Sequence, residues 1–210
     1  VNCLFSENTA TQGGGIGNMS NSSPTITHCN FYKNIGGGMF NISSSAALIT
    51  HCVFTENSTL NRGAGISNEF GSSTTITYCT FSKNVSNQSG GGVYNSNCTP
   101  TIANCNFLGN TAEDGGGIYN DFASSPNITN CIFSGNSVAQ SGGAIANSSV
   151  TLTTPIIINC SFSGNKAAIS GGGIYNNNNA VPNIKNCILW GNTAAAGNSI
   201  FPITGLPNVS

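Results

Sequence analysis

Residues 115–136 read GGGIYNDFASSPNITNCIFSGN, and the fold follows from that stretch. It holds three short apolar segments, centred on Ile118, Ile128 and Phe133, separated by Gly, Asn, Ser and Pro. None is long enough for a helix of about 10–12 residues, and no 3.6-residue period links them. Each reads as a strand of a few residues.

The stretch is one copy of a repeat. Cys-x-Phe-x-x-Asn begins at Cys3, Cys29, Cys52, Cys79, Cys105, Cys131 and Cys160; an eighth copy at Cys187 has Leu189 in place of Phe. The Cys-to-Cys spacings are 26, 23, 27, 26, 26, 29 and 27. Between copies stands a glycine motif, Gly13–Ile16, Gly115–Ile118 and Gly171–Ile174, with variants at Gly36–Met39, Gly63–Ile66, Gly90–Val93 and Gly142–Ile145. An aromatic or small residue and then Asn follow, as in Tyr94-Asn95 and Tyr119-Asn120. A β-rich run such as Thr25-Ile26-Thr27 or Ile156-Ile157-Ile158 precedes each Cys, often opened by Pro.

Three strands in every repeat of this length predict an all-β fold, a right-handed parallel β-helix: a three-sided solenoid of about eight coils. One repeat array is expected over residues 1–210. Coils stacked at about 4.8 Å would make a rod about 38 Å long. A helical repeat is excluded by the missing period, and a leucine-rich repeat by the missing Leu pattern.

Stacking turns each repeat position into a column. Phe5, Phe31, Phe54, Phe81, Phe107, Phe133 and Phe162 are expected to stack ring on ring in the core. Ile26, Ile49, Ile76, Ile102, Ile128, Ile157 and Ile184 line a second wall, and the residue after each glycine motif lines the third. Asn8, Asn34, Asn57, Asn84, Asn110, Asn136, Asn165 and Asn192 form a ladder, expected at a corner: Asn tolerates left-handed backbone, and its amide can bond the coils above and below. The loops after this ladder and after the second Asn absorb the insertions, and binding surfaces are expected there.

Eight of the nine cysteines share one column. Stacked Cβ atoms about 4.8 Å apart exceed the roughly 3.5–4.5 Å that a disulfide prefers, so Cys3, Cys29, Cys52, Cys79, Cys105, Cys131, Cys160 and Cys187 read as small buried apolar residues. Cys98 lies outside the column, before Pro100, and reads as an exposed free thiol. No Cys-x-x-Cys or comparable pairing has metal-ligand spacing.

Charged residues make up 5% of the chain and the net charge is −1. Nucleic-acid partners and electrostatic membrane adhesion are therefore not expected. No apolar run approaches the roughly 18–20 residues of a transmembrane helix. The array opens and closes mid-coil without a cap, so a longer native chain is expected, or a rod that stacks on itself end to end.

Glycoside hydrolysis needs two carboxylates facing one groove, and lyases need a calcium-binding carboxylate cluster with a base. Glu7 and Glu56 share a repeat position with Lys33 and Lys83, and that column continues as Gly109, Gly135, Gly164 and Gly191. It reads as a surface ladder of alternating charge. Glu113, Asp114 and Asp121 lie in one coil with no second acidic set aligned, and read as a solvated loop rather than a calcium site. His28, His51, Tyr78 and Asn104 read as a corner ladder. The chain is expected to be no enzyme, with no catalytic, cofactor-binding or metal-binding residue. Thr25, Thr27, Thr50, Thr75, Thr77, Thr101 and Thr129 share an outward face of the kind an ice-binding solenoid uses, but the rows decay to Ile156/Ile158 and Asn183/Lys185.

Phe-x-x-Asn paired with Gly142-Gly143-Ala144-Ile145 resembles the repeats of the chlamydial polymorphic outer-membrane proteins. The fuller pattern of residues 115–136 resembles β-helix repeat proteins of Bacteroidetes within the pectin-lyase-like superfamily. The resemblance implies secretion or surface display and, often, adhesion; it carries over no catalytic residue, since the polygalacturonase-type Asp-Asp and Gly-His-Gly strings are absent. The expected function is a structural or adhesive rod, its partner a host or environmental glycan or protein, or a second copy. A self-assembling extracellular filament subunit and a polysaccharide-binding or polysaccharide-degrading protein are the alternatives, with an ice-binding solenoid as a minor one.

Overall fold

The structure, a computed structural model, describes residues 1–201 and 208–209, and among these no helix occurs. Strands pair in parallel within three eight-stranded sheets and one five-stranded sheet. Seven turns of the coil carry strand Leu4–Ser6 to strand Ile188–Trp190.

In the first sheet each Phe pairs with the next, from Phe5↔Phe31 to Phe133↔Phe162, and the column ends at Phe162↔Leu189. Identical side chains in register repeat at the strand spacing, so the rings stack with centroids 4.5–4.9 Å apart. The second sheet stacks Ile26 to Ile184 inward. The third follows the glycine motif, with Ile16, Met39, Ile66, Val93, Ile118, Ile145, Ile174 and Ile200 in one column.

Glycine motif and Phe column form one packing unit. A Cβ on Gly38, Gly65, Gly92 or Gly117 would come within 2.7–2.8 Å of Cδ1 of Phe54, Phe81, Phe107 or Phe133. The same Cβ would lie 2.4–2.8 Å from the carbonyl oxygen of the next coil, so ring and main chain together crowd this position, which the coil with Ala144 fills with a methyl group.

The fourth sheet, of two-residue strands such as Ser58–Thr59 and Val85–Ser86, has no counterpart in the sequence reading. Two residues are too few to show alternation.

The Asn ladder departs from expectation in one respect. Its residues are not left-handed; the left-handed residue is the one before each, Glu7, Lys33, Glu56, Lys83, Gly109, Gly135, Gly164 and Gly191, with φ of 52–64°. That residue turns the corner, and the following Asn points inward, fully buried from Asn34 to Asn165. Asn110 is typical. Its Nδ2 donates to Asn136 Oδ1 at 3.0 Å and to the Phe81 carbonyl at 3.0 Å. Its Oδ1 accepts Asn84 N–H at 3.0 Å and Asn84 Nδ2 at 3.0 Å. A second buried ladder runs through Asn18, Asn41, Asn68, Asn95, Asn120, Asn147 and Asn176, each Nδ2 donating to the next Oδ1 at 2.7–3.0 Å.

All nine cysteines are free thiols. In the column, Cys29 to Cys160 are buried and donate to the carbonyl two residues earlier at 3.2–3.3 Å. Cys98 is not exposed. It is 3% accessible, donates to the Asn68 carbonyl at 3.4 Å, and burial pushes its thiol up to about 12. The left-handed turn at Asn97 folds it under the coil, level with Ser124, whose Oγ accepts the Cys98 N–H at 3.3 Å.

Candidate functional site

The outer side of the glycine sheet carries a second column, one residue beyond the inward Ile or Val: Gly17, Phe40, Ser67, Tyr94, Tyr119, Ala146, Tyr175 and Phe201. Loops at the two insertion points flank it and form a groove. Tyr94 and Tyr119 stack with centroids 5.8 Å apart, and Tyr175 and Phe201 at 5.7 Å.

Arg62, the residue before the glycine motif in the Ser67 coil, lays its guanidinium over Tyr94, 5.2 Å from the ring centroid, and Nη1 donates to the Tyr94 hydroxyl at 3.0 Å. That hydroxyl donates to Asp121 Oδ2 at 2.8 Å, while Asp121 Oδ1 accepts the Phe122 N–H at 2.8 Å. Burial, then the Asp121 carboxylate, raises the Tyr94 hydroxyl well above the ordinary tyrosine value. Glu69 accepts the Ser67 hydroxyl at 3.0 Å.

Above this floor stand two exposed rings, Phe70 and Phe122, 60% and 52% accessible. Both have left-handed backbone, φ 50° and 45°. Equivalent turn positions hold Ser43 and Asn97, also left-handed. Left-handed backbone costs a bulky residue about 1–2 kcal/mol, and such strain gathers at functional positions. Two coils separate the rings, about 9.6 Å at one strand spacing per coil. A cavity of about 320 Å³ opens here, lined by Phe70, Phe122, Tyr94, Arg62, Glu69, Ser96, Asn97, Ala123 and Thr151. That volume lies within the roughly 300–1,000 Å³ of small-ligand sites.

Farther along the groove a smaller cavity of about 140 Å³ is bounded by Tyr119, Tyr175, Asp114, Gln140, Ser141, Ser148 and Asn177. One Asp114 oxygen accepts the Ser141 N–H at 2.8 Å. Burial, against that hydrogen bond and helped by nearby Glu113, holds the Asp114 carboxyl above the usual carboxylate range.

The acidic residues of this coil are thus not one solvated loop. Asp114 enters the small cavity, Asp121 engages Tyr94, and only Glu113 lies outside, bonded to Gln140. Among the described residues no three His, Cys, Asp or Glu side chains converge as a metal site would require. The alternating-charge column lies on its corner, with Lys33 Nζ 3.9 Å from Glu56 Oε2; such exposed pairs contribute little. His28, His51 and Tyr78 stack on another corner at 4.9 Å spacings. On the Ile sheet the Thr rows share the outer face, where Thr77 Oγ1 donates to Thr50 Oγ1 at 3.1 Å.

Sequence reading placed binding surfaces on the insertion loops but missed Arg62, Phe70 and Phe122. The available signal was an aromatic two residues after the second Asn, where other coils carry Ser or Asn.

A family model described as a right-handed β-helix region matches residues 1–107 and 61–205. Neither the curated proteins nor the solved structures include a match to this chain.

Proposed function

This chain belongs to the right-handed β-helix family, and we propose that it is a non-enzymatic structural rod of a secreted or surface-displayed bacterial protein, making adhesive contact through the aromatic groove. Two Asn ladders and a Phe stack running through successive coils suit a stiff spacer. The observation that carries the adhesive part is the pair Phe70 and Phe122, large rings kept exposed on left-handed backbone at a position where neighbouring coils carry Ser43 and Asn97. The ligand we favour is a neutral glycan. Sugar rings have apolar faces that stack on phenyl rings, and hydroxyl edges that Arg62 and Glu69 would bond. Asp121 and Glu69 are each engaged by a neighbouring hydroxyl, which fixes their orientation toward a ligand in the groove.

The test is glycan-array binding by the wild-type chain and by the Phe70→Ser/Phe122→Ser double variant. Saturable binding lost in the double variant, with the fold retained by circular dichroism, supports the reading. Undiminished binding by the double variant, or an array with no bound glycan, refutes the groove as an adhesive face. New chain ends appearing in a bound polysaccharide would refute the non-enzymatic reading.

A further inference from the structure

The thiols of the cysteine column occupy one repeated position. At every rung from Cys3 to Cys187, Sγ donates to the carbonyl two residues earlier at 3.2–3.3 Å. From Cys52 onward, each Sγ also lies 3.6–3.8 Å from the carbonyl oxygen of the Ile in the preceding coil. The same two contacts at each rung put each sulfur directly above the last. Neighbouring sulfurs therefore stand one strand spacing apart, about 4.8 Å.

We propose that neighbouring thiols of this column bind a soft, two-coordinate monovalent cation of the copper(I) class between them. Distance is the first argument. A cation midway between two sulfurs would lie about 2.4 Å from each, close to the length of about 2.3 Å of a zinc–thiolate bond. Geometry is the second. Thiolate sulfur is the donor that copper(I) selects, and two sulfurs facing each other along the rod axis supply the linear pair that such cations take. Zinc asks for four ligands in a tetrahedron, and no three converge among the described residues. No cavity is needed, because two bonds replace one sulfur–sulfur contact.

Charge is the third. The N–H groups of Cys3, Cys29 and Cys52 donate to Sγ of Cys29, Cys52 and Cys79 at 3.4 Å, and Cys131 N–H to Cys160 Sγ at 3.5 Å. Such bonds favour a thiolate, whereas burial opposes a bare charge. A cation that displaces one proton to water leaves a thiolate, a thiol and one positive charge, so the buried pair stays neutral. A sulfur flanked by two gaps serves one of them, since a second cation would lie in line through the same atom. Eight thiols thus hold at most four cations.

The experiment uses silver(I), an air-stable cation of this class. The full chain carries Cys98→Ser, which removes the thiol outside the column and matches Ser124 in the next coil. Silver is added before refolding, so that it need not enter through packed coils. Up to four silver ions per chain are expected after gel filtration, and X-ray absorption should give two sulfurs at about 2.4 Å around each. The melting temperature should rise with silver concentration. Two variants keep four column thiols each. Cys105→Ala/Cys131→Ala/Cys160→Ala/Cys187→Ala leaves neighbours and is expected to hold two ions. Cys29→Ala/Cys79→Ala/Cys131→Ala/Cys187→Ala leaves sulfurs about 9.6 Å apart and should bind about 100-fold more weakly or less. Circular dichroism checks the fold of both, and if the spaced variant does not fold, the ligand number in the parent chain decides. Phe70→Ser/Phe122→Ser leaves silver binding unchanged, so the outcome does not depend on the glycan reading. Equal binding by the two four-thiol variants, more than four ions per chain, three or more ligands per ion, equal retention of zinc, or no retained silver overturns the proposal.

Discussion

Replacing Asn110 by Ala tests the principle on which the rod is built. Four hydrogen bonds vanish, two to Asn84, one to Asn136 and one to the Phe81 carbonyl. Asn84 Nδ2 keeps the Phe54 carbonyl, and Asn136 Oδ1 keeps the Asn110 N–H, which Ala preserves. The Asn84 main-chain N–H has no such alternative and stays buried without an acceptor, at about 1–3 kcal/mol. The other three bonds contribute about 0.5–1.5 kcal/mol each. The loss should be about 2.5–7.5 kcal/mol, a large share of a stability of about 5–15 kcal/mol. Asn8→Ala is the control: Asn8 is exposed and donates one side-chain bond, to Asn34 Oδ1 at 3.0 Å, so about 0.5–1 kcal/mol is expected. Urea titration of both variants by far-ultraviolet circular dichroism measures the difference, and native-state hydrogen exchange should show the Asn84 amide released first. An Asn110→Ala chain within about 1 kcal/mol of wild type would refute the claim that the ladder stabilises the core by saturating buried polar groups.

Gly92→Ala sets a Cβ 2.8 Å from Phe107 Cδ1 and 2.5 Å from the Gly117 carbonyl oxygen, and should cost about 1–3 kcal/mol by urea titration; no loss would mean that the coil relaxes around a methyl group there as it does around Ala144. Lys83→Gly relieves a φ of 54° at a position that is Gly in the next coil, and should stabilise by about 0.5–1 kcal/mol. With a thiol-specific reagent at about pH 8, exposed Cys3 should react in the native state while Cys98 reacts only after unfolding. Asp114 retains its proton to higher pH when folded than when unfolded, so its contribution to stability falls as pH rises from the ordinary carboxylate value through the raised folded one. Asp114→Asn should therefore gain stability over wild type at about pH 7, and the gain should disappear below the ordinary carboxylate range; a constant difference across pH would contradict the burial of this group.

The columns of Phe, Ile and Asn were legible because parallel in-register pairing puts like residue above like, so repetition in sequence is repetition in space. What escaped was local backbone geometry. The left-handed corner was assigned to Asn, although the column before it, which changes from Glu and Lys to Gly after Lys83, marks the strained position. Cys98 was assigned to the surface by its loop, yet the turn carries it under the coil beside Ser124, a relation hidden by insertions of different length. The groove lies where the insertions pointed, but Phe70 and Phe122 stand out only when coils are aligned from the second Asn rather than from Cys. Arg62 gave no sequence signal as a partner of Tyr94, because the two are 32 positions apart and meet only across neighbouring coils.

The Asn ladders also have a direction. From rung to rung Nδ2 donates toward higher residue numbers and Oδ1 faces lower ones, while the second Nδ2 hydrogen of the first ladder goes to the Phe carbonyl of the preceding coil. In the first ladder the orientation is locked, since Oδ1 also accepts a main-chain N–H. An amide turned over in mid-ladder would set N–H against N–H on one side and oxygen against oxygen on the other. The dipoles therefore add along the axis, much as peptide dipoles add in a helix. The rod carries an axial electrical polarity made of side chains, negative toward its low-numbered coils and positive toward its high-numbered ones, and any coil inserted into it must carry its amide in the same sense.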